Sequence, residues 1–283
     1  MAARTPSERR VVVHRPPDGR IPPVGEVLAS VWERRYLVWH LARTDLKGQH
    51  YDTALGKLWL VLDPLFMAAT FFLLRMVLRP AGAADQGFFI AHLIMGVSFF
   101  FYVSTLVTTT ARCIHNNKAL VLNTAAPRAV FPAVTVATAL VTLVPTVAVY
   151  FLVHLVLGQP WGLSIVFLPL VILLLTAFGL GFGLAYAPVA VLSPDALSFL
   201  PFITRVWLYA TPVMFAVAEI PPQVKIVYVL NPLYPSFAML EQIFTGQAPS
   251  PTYMVAAIGW ALVAMVGGGY FFMRKERDFA VRL

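Results

Sequence analysis

Long apolar runs leave this sequence little choice of fold. Residues 88–111 and 129–157 each exceed the roughly 20 apolar residues with which a helix crosses a bilayer, and they flank a polar stretch at residues 112–128. Because the lipid interior offers no hydrogen-bond partners, a spanning segment must satisfy its own backbone, as a helix does. With 59% hydrophobic and 12% charged residues, the chain is predicted to be an all-α polytopic membrane protein.

The hydropathy pattern predicts six transmembrane helices. They lie at about residues 58–78, 88–111, 129–157, 163–187, 197–218 and 252–273. Cytoplasmic segments of membrane proteins are enriched in basic residues. With both termini inside, 17 of the 21 lysines and arginines lie in cytoplasmic segments, so we predict an N-in, C-in topology. Gly179, Gly181 and Gly183 are expected to allow close contact between helices.

The chain before the first span is predicted to have two parts. Residues 1–23 are basic and poor in apolar side chains, which indicates a disordered cytoplasmic arm. Residues 24–57 are predicted to form an interfacial amphipathic helix and an elbow that lead into a permease domain at residues 58–283. Trp32, Tyr36 and Trp39 share the apolar face of that helix, as is typical of the membrane interface. Arg35 interrupts this face, and it is expected to reach toward phosphates or to meet a lipid-linked substrate.

Few charged side chains fall inside the predicted spans. Arg205, in the fifth, is the strongest candidate for a charge at depth. On a lipid-facing surface it would cost at least about 2.5 kcal/mol, so we predict that it faces a pore or a partner helix. Asp63, in the first span, is expected to find a local partner, whereas Arg75 and Arg79 are expected to extend outward.

The proline-rich connection at residues 219–250 contains two moderately apolar pieces, at residues 224–230 and 236–244. Neither piece is long enough to cross a bilayer. They are therefore predicted to be short re-entrant or interfacial helices, broken at Asn231-Pro232.

The sequence lacks the motifs of several enzyme classes. Its Gly-Lys pair, Gly56-Lys57, has neither the first glycine nor the following hydroxyl residue of a phosphate loop. It has no metalloprotease motif and no nucleophile-elbow motif, and its single cysteine, Cys113, excludes an internal disulfide. We therefore expect a chain that is not itself an enzyme and that binds no cofactor or metal of its own.

The polar stretch at residues 112–128, called the island below, carries Arg112, His115, Lys118 and Arg128. A short basic loop between spans is expected on the cytoplasmic side. It is either a surface on which a soluble partner acts or a connector that only fixes topology. Its position and charge favour neither reading over the other.

Loose motifs follow one another in order over about residues 30–283. They are Arg43-Thr44-Asp45-Leu46-Lys47 with Tyr51, Leu55-Gly56, Leu58-Trp59 and Pro64-Leu65; Gly96, Phe99-Phe100, Asn116-Asn117, Leu120-Val121, Pro127-Arg128 and Phe131-Pro132; Tyr209-Ala210-Thr211-Pro212 with Asn231-Pro232-Leu233; and Gly268, Tyr270-Phe271, Glu276 and Phe279-Ala280. This series resembles permeases of the type 2 ABC transporter family, and more closely the subfamily that exports lipid-linked polysaccharides such as O-antigen, teichoic acid and galactan. Gln49-His50 and Asp52 depart from the family pattern, which often has basic residues there, so the entry elbow carries less positive charge.

The resemblance implies a multi-pass subunit of the bacterial inner membrane. Two copies would pair with two copies of a separate ABC ATPase that binds ATP and Mg²⁺, and the partners would include membrane lipids and a lipid-linked polysaccharide, but no nucleic acid. The island would be the coupling helix. Its implied ATPase contacts are His115, Asn116, Asn117, Lys118 and Leu120.

Within this resemblance the pore would lie between two protomers. The residues predicted to contact glycan are Phe99, Phe100, Tyr102, Trp207 and Tyr209. Arg205 and Arg35 are predicted to bind the lipid pyrophosphate, and Asn231, Pro232 and Tyr234 are predicted to form an outer gate. Two other readings stay open, namely a permease of the same fold that exports a drug or a lipid, and a membrane-embedded glycosyl- or acyltransferase.

Overall fold

The computed structural model describes residues 23–48, 55–78, 83–124, 127–160, 162–221, 223, 228, 230–276 and 279, and in this part of the chain it is helical without any strand. The predicted arm at residues 1–23 lies outside the described residues except for Pro23, and so do Arg79, residues 49–52 of the elbow and most of the predicted helix at residues 224–230. The all-α prediction is confirmed for the described part.

Ten α-helices follow one another along the described residues. They are α1 Val24–Glu33, α2 Arg35–Gly48, α3 Trp59–Leu78, α4 Ala83–Asn116, α5 Lys118–Asn123, α6 Val130–Val156, α7 Leu168–Leu192, α8 Ala196–Ala210, α9 Tyr234–Phe244 and α10 Pro251–Lys275. Short 3-10 turns precede α3 and α7 and follow α8.

Five helices of the described chain, namely α3, α4, α6, α7 and α10, are long and apolar enough to cross a membrane. The predicted fifth span is shorter than expected, since α8 has 15 residues and so rises only about 22 Å. It ends at Ala210 because Thr211 precedes Pro212 and takes an extended backbone, with φ −100° and ψ 146°; a residue before proline disfavours the helical conformation. Six spans with both ends inside therefore stay a prediction.

Helix α4 is the centre of the bundle. Every side chain at residues 91–100 is buried, and α3, α6, α7 and α8 all pack against this helix. The island lies at its C-terminal end together with Glu276, and we call this the island end. The opposite end carries Val217–Glu219 and α9, and we call it the loop end.

Helices α7 and α10 approach each other with their backbones almost in contact. A Cβ atom on Gly268 would collide with the carbonyl oxygen of Gly181, and one on Gly181 would collide with the backbone of Ala264. Gly183 packs in the same way on Thr110 of α4, and Gly179 packs on Leu106. The predicted role of the three α7 glycines in close helix packing is confirmed.

The single amphipathic helix predicted over residues 24–44 is instead two helices. The break falls at Arg34, where φ is −101° and ψ is 20°, and it divides the expected apolar face. Val38 and Ala42 are buried against Val130 and Val134 of α6, whereas Trp32 remains 71% exposed. Arg35 stacks over the rings of Trp32 and Tyr36, at 5.4 and 4.8 Å from their centroids.

The glycine contact generates a stability prediction with an internal control. Gly268→Ala should lower the melting temperature of the detergent-solubilised protein, because overpacking a filled contact costs about 1–3 kcal/mol. Gly267→Ala should leave it unchanged or raise it, since a Cβ atom there meets nothing within 4 Å. Equal melting temperatures for the two variants would contradict this packing of α7 on α10.

Candidate functional site

The island is more helical than the sequence suggested. Helix α4 continues five residues beyond the predicted span end and stops at Asn116, and after Asn117 the six-residue α5 begins. The side-chain amide of Asn117 donates a hydrogen bond of 2.8 Å to the carbonyl oxygen of Cys113. His115 and Asn117 are therefore held at a fixed turn between two helices.

Helix α5 has one buried residue and several exposed ones. Val121 packs in an apolar cluster with Ile114, Phe131 and Phe279. Lys118, Leu120 and Leu122 point away from the bundle, with Leu120 and Leu122 39% and 49% exposed. Leu122 was missed by sequence reasoning, because the run Leu120-Val121-Leu122 does not show which residue faces inward until the helix is docked.

The C-terminal segment contacts the residues that follow α5. Arg128 donates a hydrogen bond of 2.6 Å to the carbonyl oxygen of Glu276 and lies 3.8 Å from its carboxylate. The rings of Phe272 and Phe279 pack edge to face at 5.4 Å. The base of α5 is thus fixed to both α6 and the C-terminal segment.

Helix α8 presents an apolar outward face with one charge in it. Leu200, Thr204 and Leu208 pack inward, whereas the opposite face is exposed and comprises Phe199, Phe202, Arg205, Val206 and Tyr209. We call this set the α8 face. Within the described part of the chain, the Arg205 guanidinium has no hydrogen-bond or ion-pair partner.

The five residues predicted to contact glycan are distributed differently. Only Tyr209 lies on the α8 face, at 56% exposure. Trp207 is partly buried and packs on Phe182 of α7, with ring centroids 4.7 Å apart. Phe99, Phe100 and Tyr102 belong to the protomer core.

The burial of α4 explains this placement. The side-chain hydroxyl of Tyr102 lies 2.5 Å from that of Thr176 on α7, and Phe99 contacts Phe244 of α9. Without rearrangement of the bundle, Phe99 and Phe100 cannot line a pore between two protomers, whereas Tyr102 borders a cavity between α2, α3, α4 and α6. The sequence did not show this, because residues 91–100 of α4 are apolar for most of their length and are buried on every side.

The residues predicted to form the outer gate connect α8, α9 and α10. The Asn231 side chain donates to the carbonyl oxygen of Ala210 at 2.8 Å and to Thr211 at 3.0 Å, and it accepts from the Leu233 N–H at 3.1 Å. Tyr234 lies 3.3 Å from Tyr253 of α10, hydroxyl to hydroxyl, while Pro232 is half-buried. Asn231 therefore ties the end of α8 to the start of α9.

A charged cluster at the loop end was not found from the sequence. Arg75 of α3, which was expected to extend outward, pairs there with both carboxylate oxygens of Glu219, at 2.7 and 3.1 Å. It also lies over the Phe89 ring at 4.0 Å. Glu241 of α9 accepts from the Val217 N–H at 2.9 Å and lies 3.7 Å from His92.

The described residues contain no group of three His, Cys, Asp or Glu side chains able to hold a metal ion. Lone histidines in the spans have ordinary partners, as His154 lies 2.9 Å from the Tyr150 hydroxyl and 3.3 Å from the Pro160 carbonyl oxygen. Asp63 is exposed and has no ion-pair or hydrogen-bond partner in the described part of the chain. The segment before α3 is only partly described, so the local partner expected for Asp63 stays a prediction.

Comparison with known proteins fits this arrangement of apolar helices, exposed island helix and charged α8 face. The family model of ABC-2 type transporters matches residues 36–245. The O-antigen export system permease protein RfbA of Myxococcus xanthus is 23% identical over 257 residues, which cover 90% of this chain and 98% of the relative. The protein of the same name from Klebsiella pneumoniae is 22% identical over 242 residues, covering 85% and 92%. The chain is thus a multi-pass protein of the bacterial inner membrane and belongs to the ABC-2 type transporter family.

Proposed function

We propose that this membrane subunit of an ABC exporter moves a lipid-linked polysaccharide outward through a pore formed between two copies of the chain, driven by a separate ATPase. The observation that carries the proposal is Arg205, a charge on the exposed α8 face that has no partner in the described part of the chain. Two relatives are named as O-antigen export permeases, and each aligns over most of both chains.

A lipid-facing arginine would be costly, at least about 2.5 kcal/mol on insertion scales. The α8 face needs a polar or aqueous neighbour around its guanidinium, and a second copy of the chain supplies one. In a two-fold assembly the same surface meets itself, so two α8 faces enclose a passage that carries Arg205 from each copy. Lipid then contacts the other sides of the bundle.

The side chains beside Arg205 suit an amphiphilic cargo. Guanidinium groups bind phosphate oxygens through two parallel hydrogen bonds, which fits the pyrophosphate of a lipid-linked sugar. Tyr209 and Phe202 expose ring faces on which the C–H face of a sugar can stack while its hydroxyl groups stay hydrated. Arg35, exposed and stacked between Trp32 and Tyr36, is suited to meet the same phosphates near the membrane surface.

The island helix α5 suits contact with an ATPase subunit. The chain has no phosphate loop of its own, so the energy must enter from a partner. Leu120, Leu122 and Lys118 form an exposed apolar and basic surface, and Val121 anchors it to the bundle. A displacement of α5 therefore reaches α4 directly through Asn117.

Disulfide trapping tests the dimer. Phe202→Cys should give a covalent dimer on mild oxidation in membranes, because a residue near the two-fold axis of the proposed α8 interface lies close to its own copy. Leu155→Cys on α6, 63% exposed like Phe202 at 65%, should remain monomeric, and the buried Cys113 should not react. Non-reducing electrophoresis gives the result; crosslinking only through Leu155→Cys would contradict the α8 interface.

Photocrosslinking tests the coupling surface. A benzophenone amino acid at Asn117 or Leu122 should attach the chain to its ATPase subunit in the assembled exporter. The same group at Leu163, which is also exposed but lies at the start of the turn before α7, should not. Attachment only to lipid from residues 117 and 122 would favour a simple connector.

Substitution of Arg205 tests the role in transport. Arg205→Gln should reduce export of the glycan at least about tenfold, since hydrogen bonds to charged groups contribute about 1.5–3 kcal/mol, while Arg205→Lys retains partial export. Arg274→Gln, a change of an exposed arginine in the last turn of α10, is the control.

Assembly of each Arg205 variant with its ATPase must be measured beside export. Normal export by Arg205→Gln would rule out the phosphate role. Loss of the assembled complex in both variants would instead assign Arg205 to helix packing.

A further inference from the structure

A cavity with a volume of about 740 Å³ lies inside one protomer, between α2, α3, α4 and α6. No residue of α8 lines it, so it is separate from the α8 face. Small-molecule sites commonly occupy about 300–1,000 Å³. We call this cavity the hydroxyl groove after the threonines that α4 and α6 contribute, namely Thr105, Thr109, Thr135, Thr138, Thr142 and Thr146.

The groove arises from threonines that recur at helical spacing in the sequence. On α6 its threonines recur at intervals of three and four residues, which places them on one face of the helix, and those on α4 are four residues apart. A hydrogen bond of 2.8 Å between Thr110 and Thr135 joins the two helices. The two threonine faces thus form the polar walls of a cavity between spanning helices.

Most of these hydroxyl groups donate their protons within their own helix. Thr109 donates to the carbonyl oxygen of Thr105 at 2.7 Å, Thr135 to Pro132 at 2.8 Å and Thr142 to Ala139 at 2.9 Å. Their oxygen lone pairs remain available to the cavity. Apart from the side-chain amides of Asn116 and Asn117, the walls therefore present acceptors of hydrogen bonds rather than donors.

Two carboxylates add to the acceptors. Asp45 of α2 and Asp63 of α3 line the groove, and neither has a hydrogen-bond or ion-pair partner in the described part of the chain. Removal of water by neighbouring residues raises the pKa of the Asp45 carboxyl. No lysine, arginine or histidine is among the described residues that line the groove, so a phosphate would be repelled.

Thr105 on the α4 wall is exposed, and its hydroxyl donates to no residue in the described part of the chain. Thr138 differs, since it is only 8% exposed and its hydroxyl oxygen, which also makes no hydrogen bond, is closed off from the cavity. A ligand in the groove that brings hydrogen-bond donors would therefore meet Thr105 and the two carboxylates together.

We propose that the hydroxyl groove binds a neutral, hydroxyl-rich sugar segment and leaves the lipid phosphate to the α8 face. Sugar hydroxyl groups supply donors, which are few on these walls. The half-buried ring of Phe101 in the same cavity offers an apolar surface for the C–H face of the sugar. The inference depends on the proposed function for the choice of a glycan as ligand, but it concerns a different surface of the chain.

The test measures binding of a neutral galactose tetrasaccharide to the full chain, assembled with its ATPase in nanodiscs, by calorimetry. Thr105→Val keeps the side-chain shape, and it should weaken tetrasaccharide binding about three- to tenfold, as expected for one hydrogen bond. Asp63→Asn should weaken it by about tenfold or more, because a charged acceptor is lost. Thr70→Val is the control, since the Thr70 hydroxyl bonds to Phe66 of its own helix and does not line the groove.

Melting temperature separates a binding effect from a folding effect. Thr105→Val should not lower it, because its hydroxyl has no described partner to lose. Unchanged tetrasaccharide affinity in both Thr105→Val and Asp63→Asn would overturn the proposal, as would competition by inorganic pyrophosphate that persists in Arg205→Gln.

The outcomes for the groove and for the proposed function are distinguishable. If the wild-type complex exports glycan but the tetrasaccharide does not bind, the groove proposal fails and the proposed function stands. If the wild-type complex exports no glycan, the proposed function fails.

Discussion

The burial of residues 91–100 of α4 on every side is the constraint on which the rest of the structure depends. Between residues 91 and 100 no side chain reaches the surface, so α3, α6, α7 and α8 form a shell around this one helix. In that shell close approach is possible only where side chains are small, as between Gly181 and Gly268. The larger sets of polar side chains therefore lie at the two ends of the bundle, on the α8 face and in the hydroxyl groove.

Paired and unpaired polar groups have different roles in this chain. At the loop end Arg75 and Glu219 neutralise each other, and at the island end Arg128 is held by Glu276; both pairs join distant segments and stabilise the fold. Within the described part of the chain, Arg205 and Asp63 have no such partners. Since an unpaired charge is costly in an apolar medium, these two positions are where a second copy, a cargo or water would supply a partner.

A single helix connects the two ends. The spanning part of α4, Gly87–Asn116, has 30 residues, or about 45 Å at 1.5 Å per residue. Its loop end carries His92 next to Glu241 of α9, and its island end adjoins α5. Under the proposed function, movement imposed on α5 reaches the outer connection through one continuous rigid element.

The sequence by itself determined the helical fold, the main spans and the position of the island, because hydropathy and charge act locally along the chain. It also indicated the glycine contacts of α7 and the isolated charge at Arg205. Only the tertiary structure decided that Phe99 and Phe100 are core residues, that Leu122 is exposed and that Arg75 finds Glu219, 144 residues away. In a chain that is apolar throughout, composition cannot show which face of a helix is covered, since lipid and protein interior favour the same side chains; packing against the other helices makes that choice.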